Sequence, residues 1–224
     1  MPKKPDLAHI LVVFGCLAVA CCQWLVYVYA PSEVTMGFVQ KIFYIHLPLA
    51  WWALASFLVV FLGSICYILK RAPGVDNLCA AAAETGVLLS GLALVTGILW
   101  ARKSWGVWWT WDPRLATTLV MWFAYSGYLA LRGLDMPGRR RNLVCAVVGI
   151  VAFLDVPLVF VSARIWRSVH PAVFAAKDGG LEPEMKLTVI ACVLAFGLFW
   201  AGLLLLRKRQ LDLRDRVEAL KNMA

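Results

Sequence analysis

The chain has 224 residues, 62% of them hydrophobic and 16% charged, with a mean hydropathy of +0.77. So much apolar surface excludes an ordinary soluble domain and points to lipid as the solvent. The formal net charge of +9 is not a nucleic-acid footprint, because the basic residues gather at the ends of long apolar runs; no nucleic acid is expected as a partner.

A helix of about twenty apolar residues is about 30 Å long, enough to cross a bilayer core. Six runs qualify, in chain order 7–29, 42–69, 79–100, 115–131, 143–163 and 187–206. The expected fold is therefore an all-α integral membrane protein of six transmembrane helices. Residues 1–206 form one domain, followed by a tail over 207–224. "MPKK" before the first run and "AVAC" within it have the look of a signal peptide, but the run is too long for one and reads as an uncleaved span.

Alternating the loops sorts the 22 Lys and Arg residues into fourteen on one side and eight on the other. The richer side holds Lys3, Lys4, Lys70, Arg71, Arg132, Arg139, Arg140, Arg141 and the six after Leu206. The positive-inside rule then puts both termini in the cytoplasm. Loops 30–41, 101–114 and 164–186 face outward. The tail "RKRQLDLRDRVEALKNMA" carries Leu213, Val217 and Leu220 at helical spacing and reads as a short amphipathic helix on the inner surface.

All seven cysteines lie in or at the edges of the spans, without CxxC or CxxCH, and read as small packing residues. Asp155, in "FLDVP", is an ionisable residue inside the fifth run, and Pro157 is placed to kink that helix. Glu84 lies near the inner end of the third.

The second outward loop holds "WARKSWGVWWTWDPRL". Tryptophans anchor membrane proteins at both interfaces, yet nine of the eleven here (24, 51, 52, 100, 105, 108, 109, 111 and 166) map to the outer half. If the segment is helical, Trp105, Trp108, Trp109 and Asp112 share a face; if extended, Trp105, Trp109 and Trp111 do. Either arrangement offers a platform for a broad, flat, apolar ligand. Asp112-Pro113 reads as the N-cap and first residue of the fourth helix, which would fix Asp112 at the platform's edge.

There are three histidines. His9 sits at the inner end of the first run and reads as interfacial. His46 ("YIHLP") and His170 ("RSVHPA") lie outward, on either side of the tryptophan segment in sequence. Imidazole is a common axial ligand of haem iron. A porphyrin also needs an aromatic wall and cations for its carboxylates, for which Arg114, Arg164, Arg167 and Lys103 are candidates.

"WGVWWTWDPRL" resembles the WWD motif (residues 105–115 here) of the haem-handling proteins of cytochrome c biogenesis. The six-span layout, with a histidine on each side of the motif, resembles the family of their small member, CcmC (haem exporter protein C). The resemblance covers nearly the whole chain. It implies non-covalent, transient binding of haem b at the outer, periplasmic face of the bacterial inner membrane and delivery to the haem chaperone CcmE. CcmA, CcmB and CcmD are the implied partners. His46 and His170 become the axial ligands, and Trp105, Trp108, Trp109, Trp111 and Asp112 the contacts to haem and chaperone, with Arg114 beside them.

A b-type haem redox subunit is one alternative, disfavoured because no histidine lies mid-span. A small-molecule transporter built around Asp155 is another. No nucleotide motif, metal-hydrolase spacing or Ser/His/Asp set marks an enzyme. The expectation is a binding and transfer protein without ATPase activity, for which a lyase-like role in attaching haem to the chaperone is the one enzymatic possibility.

Overall fold

The structure, a computed structural model, describes residues 6–166, 170 and 181–223. Arg167, read above as an outward cation, lies outside the described residues, as does the side chain of Arg164. Helix α1 (Leu7–Trp24) passes into a π-helical turn (Leu25–Tyr29), and a 3-10 turn (Phe38–Ile42) leads into α2 (Phe43–Lys70). Then come α3 (Pro73–Trp105), α4 (Pro113–Arg132), α5 (Gly138–Ala152), α6 (Asp155–Ile165) and α7 (Pro183–Lys221). Among the described residues there is no strand, only an isolated bridge between Glu33 and Gly37.

Five segments are long and apolar enough to cross a membrane: Leu7–Tyr29, Phe38–Lys70, Gly74–Trp105, Gly138–Ser162 and Pro183–Lys221. The remaining expected span is α4, whose 20 residues are long enough but more polar. Several of its polar side chains find partners within protein. Thr117 and Thr118 donate to the carbonyls of Pro113 and Arg114 at 2.8 and 2.7 Å, and Trp122 Nε1 donates to the Val87 carbonyl of α3 at 3.1 Å. These bonds turn three of its polar groups away from lipid.

Two elements differ from the sequence reading. The run 143–163 is not one helix: α5 stops at Ala152 and α6 starts at Asp155. Pro157 has no N–H for the Phe153 carbonyl, and that carbonyl accepts instead from Val156 N at 3.0 Å. The tail is not a separate short helix either, because α7 runs unbroken through 39 residues to Lys221. Asn77 of α3 anchors this extension, donating to Asp212 at 2.8 Å and Asp215 at 2.7 Å, while Leu211 packs on the core.

α2 and α3 form the most extensive helix pair, and α1 lies along α7. Small residues set the second crossing: a Cβ on Gly15 would come within 2.5 Å of the Phe199 backbone, and one on Gly202 within 2.6 Å of Val12 N. Aromatic stacks fill the centre, with Phe57 on Tyr125 at 3.7 Å, Phe61 on Phe153 at 4.3 Å and Trp52 on Trp200 at 4.6 Å between ring centres. Trp200 Nε1 donates to Ser56 Oγ at 2.8 Å.

Alternating helix directions give the bundle two unlike ends. One gathers Lys70, Arg71, Arg132, Arg139, Arg140, Arg141 and the basic end of α7. There Arg132 binds Asp76 through two oxygens, at 3.0 and 2.6 Å, and Arg207 pairs with Glu84, the acid near that end of the third run. The other end holds the tryptophan segment, the start of α2 and His170. The Lys41 ammonium, itself buried, binds the Ala30 and Pro31 carbonyls and ties the first loop to α2. Glu33 accepts from Met36 N in that loop, and backbone donors hold its carboxyl below the usual range.

Candidate functional site

Trp105 closes α3, and Gly106 terminates it in the left-handed region, with φ 74°. Residues 107–112 are not helical, so the helical face through Trp105, Trp108, Trp109 and Asp112 does not form. Of the extended alternative, one contact is present: Trp109 and Trp111 meet edge to face at 5.8 Å. Trp108 lies apart, under the Arg102 guanidinium at 5.5 Å. Trp111 is 79% exposed and Trp108 58%, while Trp105 is 36%. The segment therefore offers indoles outward more than it walls a pocket.

Asp112 performs the capping role expected of it. It is buried, and its Oδ1 accepts from Arg114 N at 2.9 Å, with Pro113 opening α4. The cap aims the first turn of α4, and with it Arg114, toward His170. Arg114 Nη1 lies 3.1 Å from His170 Nδ1.

His46 stands in the first turn of α2 and packs against α3. A Cβ on Gly97 would approach its Cε1 to 3.2 Å, so a residue without a side chain permits that packing. The neighbouring Thr96 Oγ1 lies 2.9 Å from His46 Nδ1. That hydroxyl's single proton is committed to the carbonyls of Leu92 and Ala93, at 2.9 and 3.0 Å. The threonine therefore accepts, Nδ1 carries the imidazole proton, and Nε2 keeps its lone pair.

The two imidazoles, 124 positions apart in sequence, come together with ring centres 6.3 Å apart and planes inclined by 35°. A ring nitrogen lies roughly 1.2 Å from the ring centre, and nitrogen–metal bonds are about 2.0 Å, so two imidazoles opposed across one metal atom have centres roughly 6.4 Å apart. The spacing fits joint ligation of iron. Among the described residues, no group of three or more His, Cys, Asp and Glu could hold a metal ion in a protein-only cage.

Sequence reasoning missed the partners of this pair. Trp100, above the expected motif, has its ring centre 6.1 Å from His46 and 6.5 Å from His170. Thr96, Gly97 and Trp100 share one face of α3 at helical spacing, and a threonine–glycine pair one turn before a tryptophan in an apolar helix is the signal that could have revealed them. Among the described residues, the ring contacts of both imidazoles run to Trp100, not to the motif tryptophans.

Comparison with known proteins agrees over the whole chain. The family model described as "CcmC: Heme exporter protein C" matches residues 4–223. Heme exporter protein C of Bradyrhizobium diazoefficiens is 33% identical over 197 residues, covering 87% of this chain and 74% of the relative. The protein of that name from Escherichia coli K12 is 27% identical over 185 residues, 83% of this chain and 75% of the relative. The one from Rhodobacter capsulatus is 28% identical over 200 residues, covering 86% and 81%. A match of this extent, over an all-helical bundle with long apolar helices, places the chain in the heme exporter protein C (CcmC) family.

Proposed function

We propose that the chain binds haem b, non-covalently and transiently, at the periplasmic face of the bacterial inner membrane, and hands it to the haem chaperone CcmE for c-type cytochrome biogenesis. His46 and His170 are the axial ligands, and the observation that carries this reading is their 6.3 Å separation. Arg114 binds a propionate, for which its fork is suited. The exposed indoles of Trp108 and Trp111, with Trp105 and Trp109 beside them, meet the macrocycle's edge and the chaperone.

The names of the relatives, heme exporter protein C, support cargo transfer over a fixed redox group. CcmA, CcmB and CcmD are the partners that such a system requires, and ATP hydrolysis belongs to them, since this sequence has no nucleotide-binding motif. Orientation follows the charge asymmetry: the arginine-rich end faces the cytoplasm with both termini, and the tryptophan end faces the periplasm.

Hemin titration of the purified chain tests the ligands. The wild type and His9→Ala give a low-spin, two-imidazole Soret spectrum, whereas His46→Ala and His170→Ala each shift or abolish it. An unchanged spectrum in both outer variants sinks the assignment. For orientation, single cysteines at the exposed positions 111 and 223, in a background without the seven native ones, are challenged with an impermeant maleimide. Position 111 reacts in intact spheroplasts and 223 only after lysis; the reverse pattern overturns the topology.

A further inference from the structure

Three rings lie at the tryptophan end in a nearly equilateral triangle: His46 to His170 is 6.3 Å, His46 to Trp100 6.1 Å and His170 to Trp100 6.5 Å. The third vertex of such a triangle lies in the plane that bisects the other two. If the imidazoles are axial ligands, as proposed above, that bisecting plane is the plane of the macrocycle. The Trp100 indole already stands in it, held edge-on to His46 at 71° and to His170 at 74°. A porphyrin's pyrrole rim and substituents reach farther from the iron than the near edge of this indole, so the two claim the same space.

A second observation marks the position as provisional. Trp100 is only 8% exposed, and its Nε1–H is buried with no hydrogen-bond partner among the described residues. Leaving a buried donor unpaired destabilises that arrangement. An indole that only anchored the helix at the interface would direct this group to water or a carbonyl. Its ring packs on Phe43, with ring centres 6.1 Å apart, a contact between two side chains.

We infer that Trp100 is a displaceable wedge between the two histidines: it fills the haem plane when the cargo is absent and rotates aside when the cargo enters. The wedge holds the imidazoles apart at ligating distance, so neither collapses on the other. It also sets affinity, because haem binds only the fraction of molecules with the indole turned out. A carrier that must surrender its cargo gains from this, since the returning indole competes with haem for one space.

The test uses the full-length chain, purified haem-free in detergent and mixed with hemin in stopped flow. Trp100→Ala removes the wedge, and Trp100→Phe leaves a smaller one. If about one molecule in ten has the indole turned out, Trp100→Ala binds hemin roughly tenfold tighter, mainly through faster association. Trp100→Phe moves the same way by less. The two-imidazole Soret position stays that of the wild type, and loss of hemin to apomyoglobin is no faster. A fixed aromatic wall predicts the opposite sign, with weaker binding and faster loss in both variants; that result, or unchanged rates, overturns the wedge while leaving the ligands in place. Should Trp100→Ala insert poorly, the sign of the Trp100→Phe effect decides. If His46→Ala and His170→Ala leave the wild-type Soret band unchanged, the ligand assignment fails and the wedge fails with it.

Discussion

Arg114 Nη1 stands 3.1 Å from Nδ1 of His170, and a guanidinium has donors but no acceptor. The imidazole nitrogen must accept, which puts the ring proton on Nε2. His46 has the opposite tautomer, with its proton on Nδ1 facing Thr96. The proposed ligand pair is thus chemically unlike: one imidazole presents a lone pair on Nε2 and the other an N–H. For His170 to ligate through Nε2, its proton must move to Nδ1, where Arg114 can no longer donate. Ligation therefore frees Arg114 for a carboxylate.

Nitrogen-15 spectra of the histidine-labelled, haem-free chain check this directly. They are expected to show Nδ1 of His170 and Nε2 of His46 as the unprotonated nitrogens. Arg114→Leu lowers hemin affinity roughly tenfold or more, since a hydrogen bond to a charged group is worth about 1.5–3 kcal/mol. Arg114→Lys recovers only part of it, because the fork is lost. Affinity unchanged in Arg114→Leu rules out its part in propionate binding.

The His46 environment makes a separate prediction. Thr96→Val keeps the shape of the side chain and deletes the acceptor for Nδ1–H, while Thr96→Ser keeps the acceptor. The valine variant binds hemin several-fold more weakly, in line with a hydrogen bond worth about 1 kcal/mol, and the serine variant binds as wild type. Gly97→Ala places a methyl 3.2 Å from His46 Cε1, so the ring tilts and the Soret band moves. If neither Thr96→Val nor Gly97→Ala changes hemin binding, His46 is not held by this face of α3.

The apolar runs, the gathering of both histidines at the tryptophan end of the bundle and the Asp112 cap were all legible in the sequence, because each rests on local rules of length, charge and backbone geometry. The break at Asp155 was half legible: Pro157 predicts a kink, but whether the helix bends or stops depends on what surrounds it. The role of Trp100 was not legible. It depends on α2 meeting α3 at Gly97 and on His170 lying beside both, and no period along the chain encodes that meeting. The opposite error concerned the motif tryptophans, whose density suggested one platform. Gly106 ends α3 in the middle of the run and turns them different ways.

Asp112 can be divided into its two roles. Asparagine is as good an N-cap as aspartate, whereas alanine costs about 1 kcal/mol. Asp112→Asn therefore keeps the cap, and Asp112→Ala loses it and melts lower. If the carboxylate also serves haem transfer, Asp112→Asn loses delivery to the chaperone while inserted protein is unchanged, as read by haem stain on the chaperone against immunoblot of the chain. Full delivery by Asp112→Asn would leave the cap as its whole function.

A buried ion pair lies at the far end of the bundle. Arg132 and Asp76 have side chains only 13% and 8% exposed, and the guanidinium also donates to Tyr128 Oη at 3.2 Å. Removing one partner of such a buried pair leaves the other charged and unpaired, at a cost of about 3–5 kcal/mol. Asp76→Ala is therefore expected to lower the melting midpoint in detergent sharply, and Asp76→Asn less, because the amide oxygen still accepts. The double variant Asp76→Leu with Arg132→Met recovers much of the loss, since apolar replacement of both charges removes the desolvation penalty as well as the attraction. The pair joins α3 to α4 at the end opposite the histidines, so hemin affinity of the folded fraction stays at the wild-type value in all three variants. A wild-type midpoint for Asp76→Ala would mean that water reaches the guanidinium, and that α3 and α4 are held together without this pair.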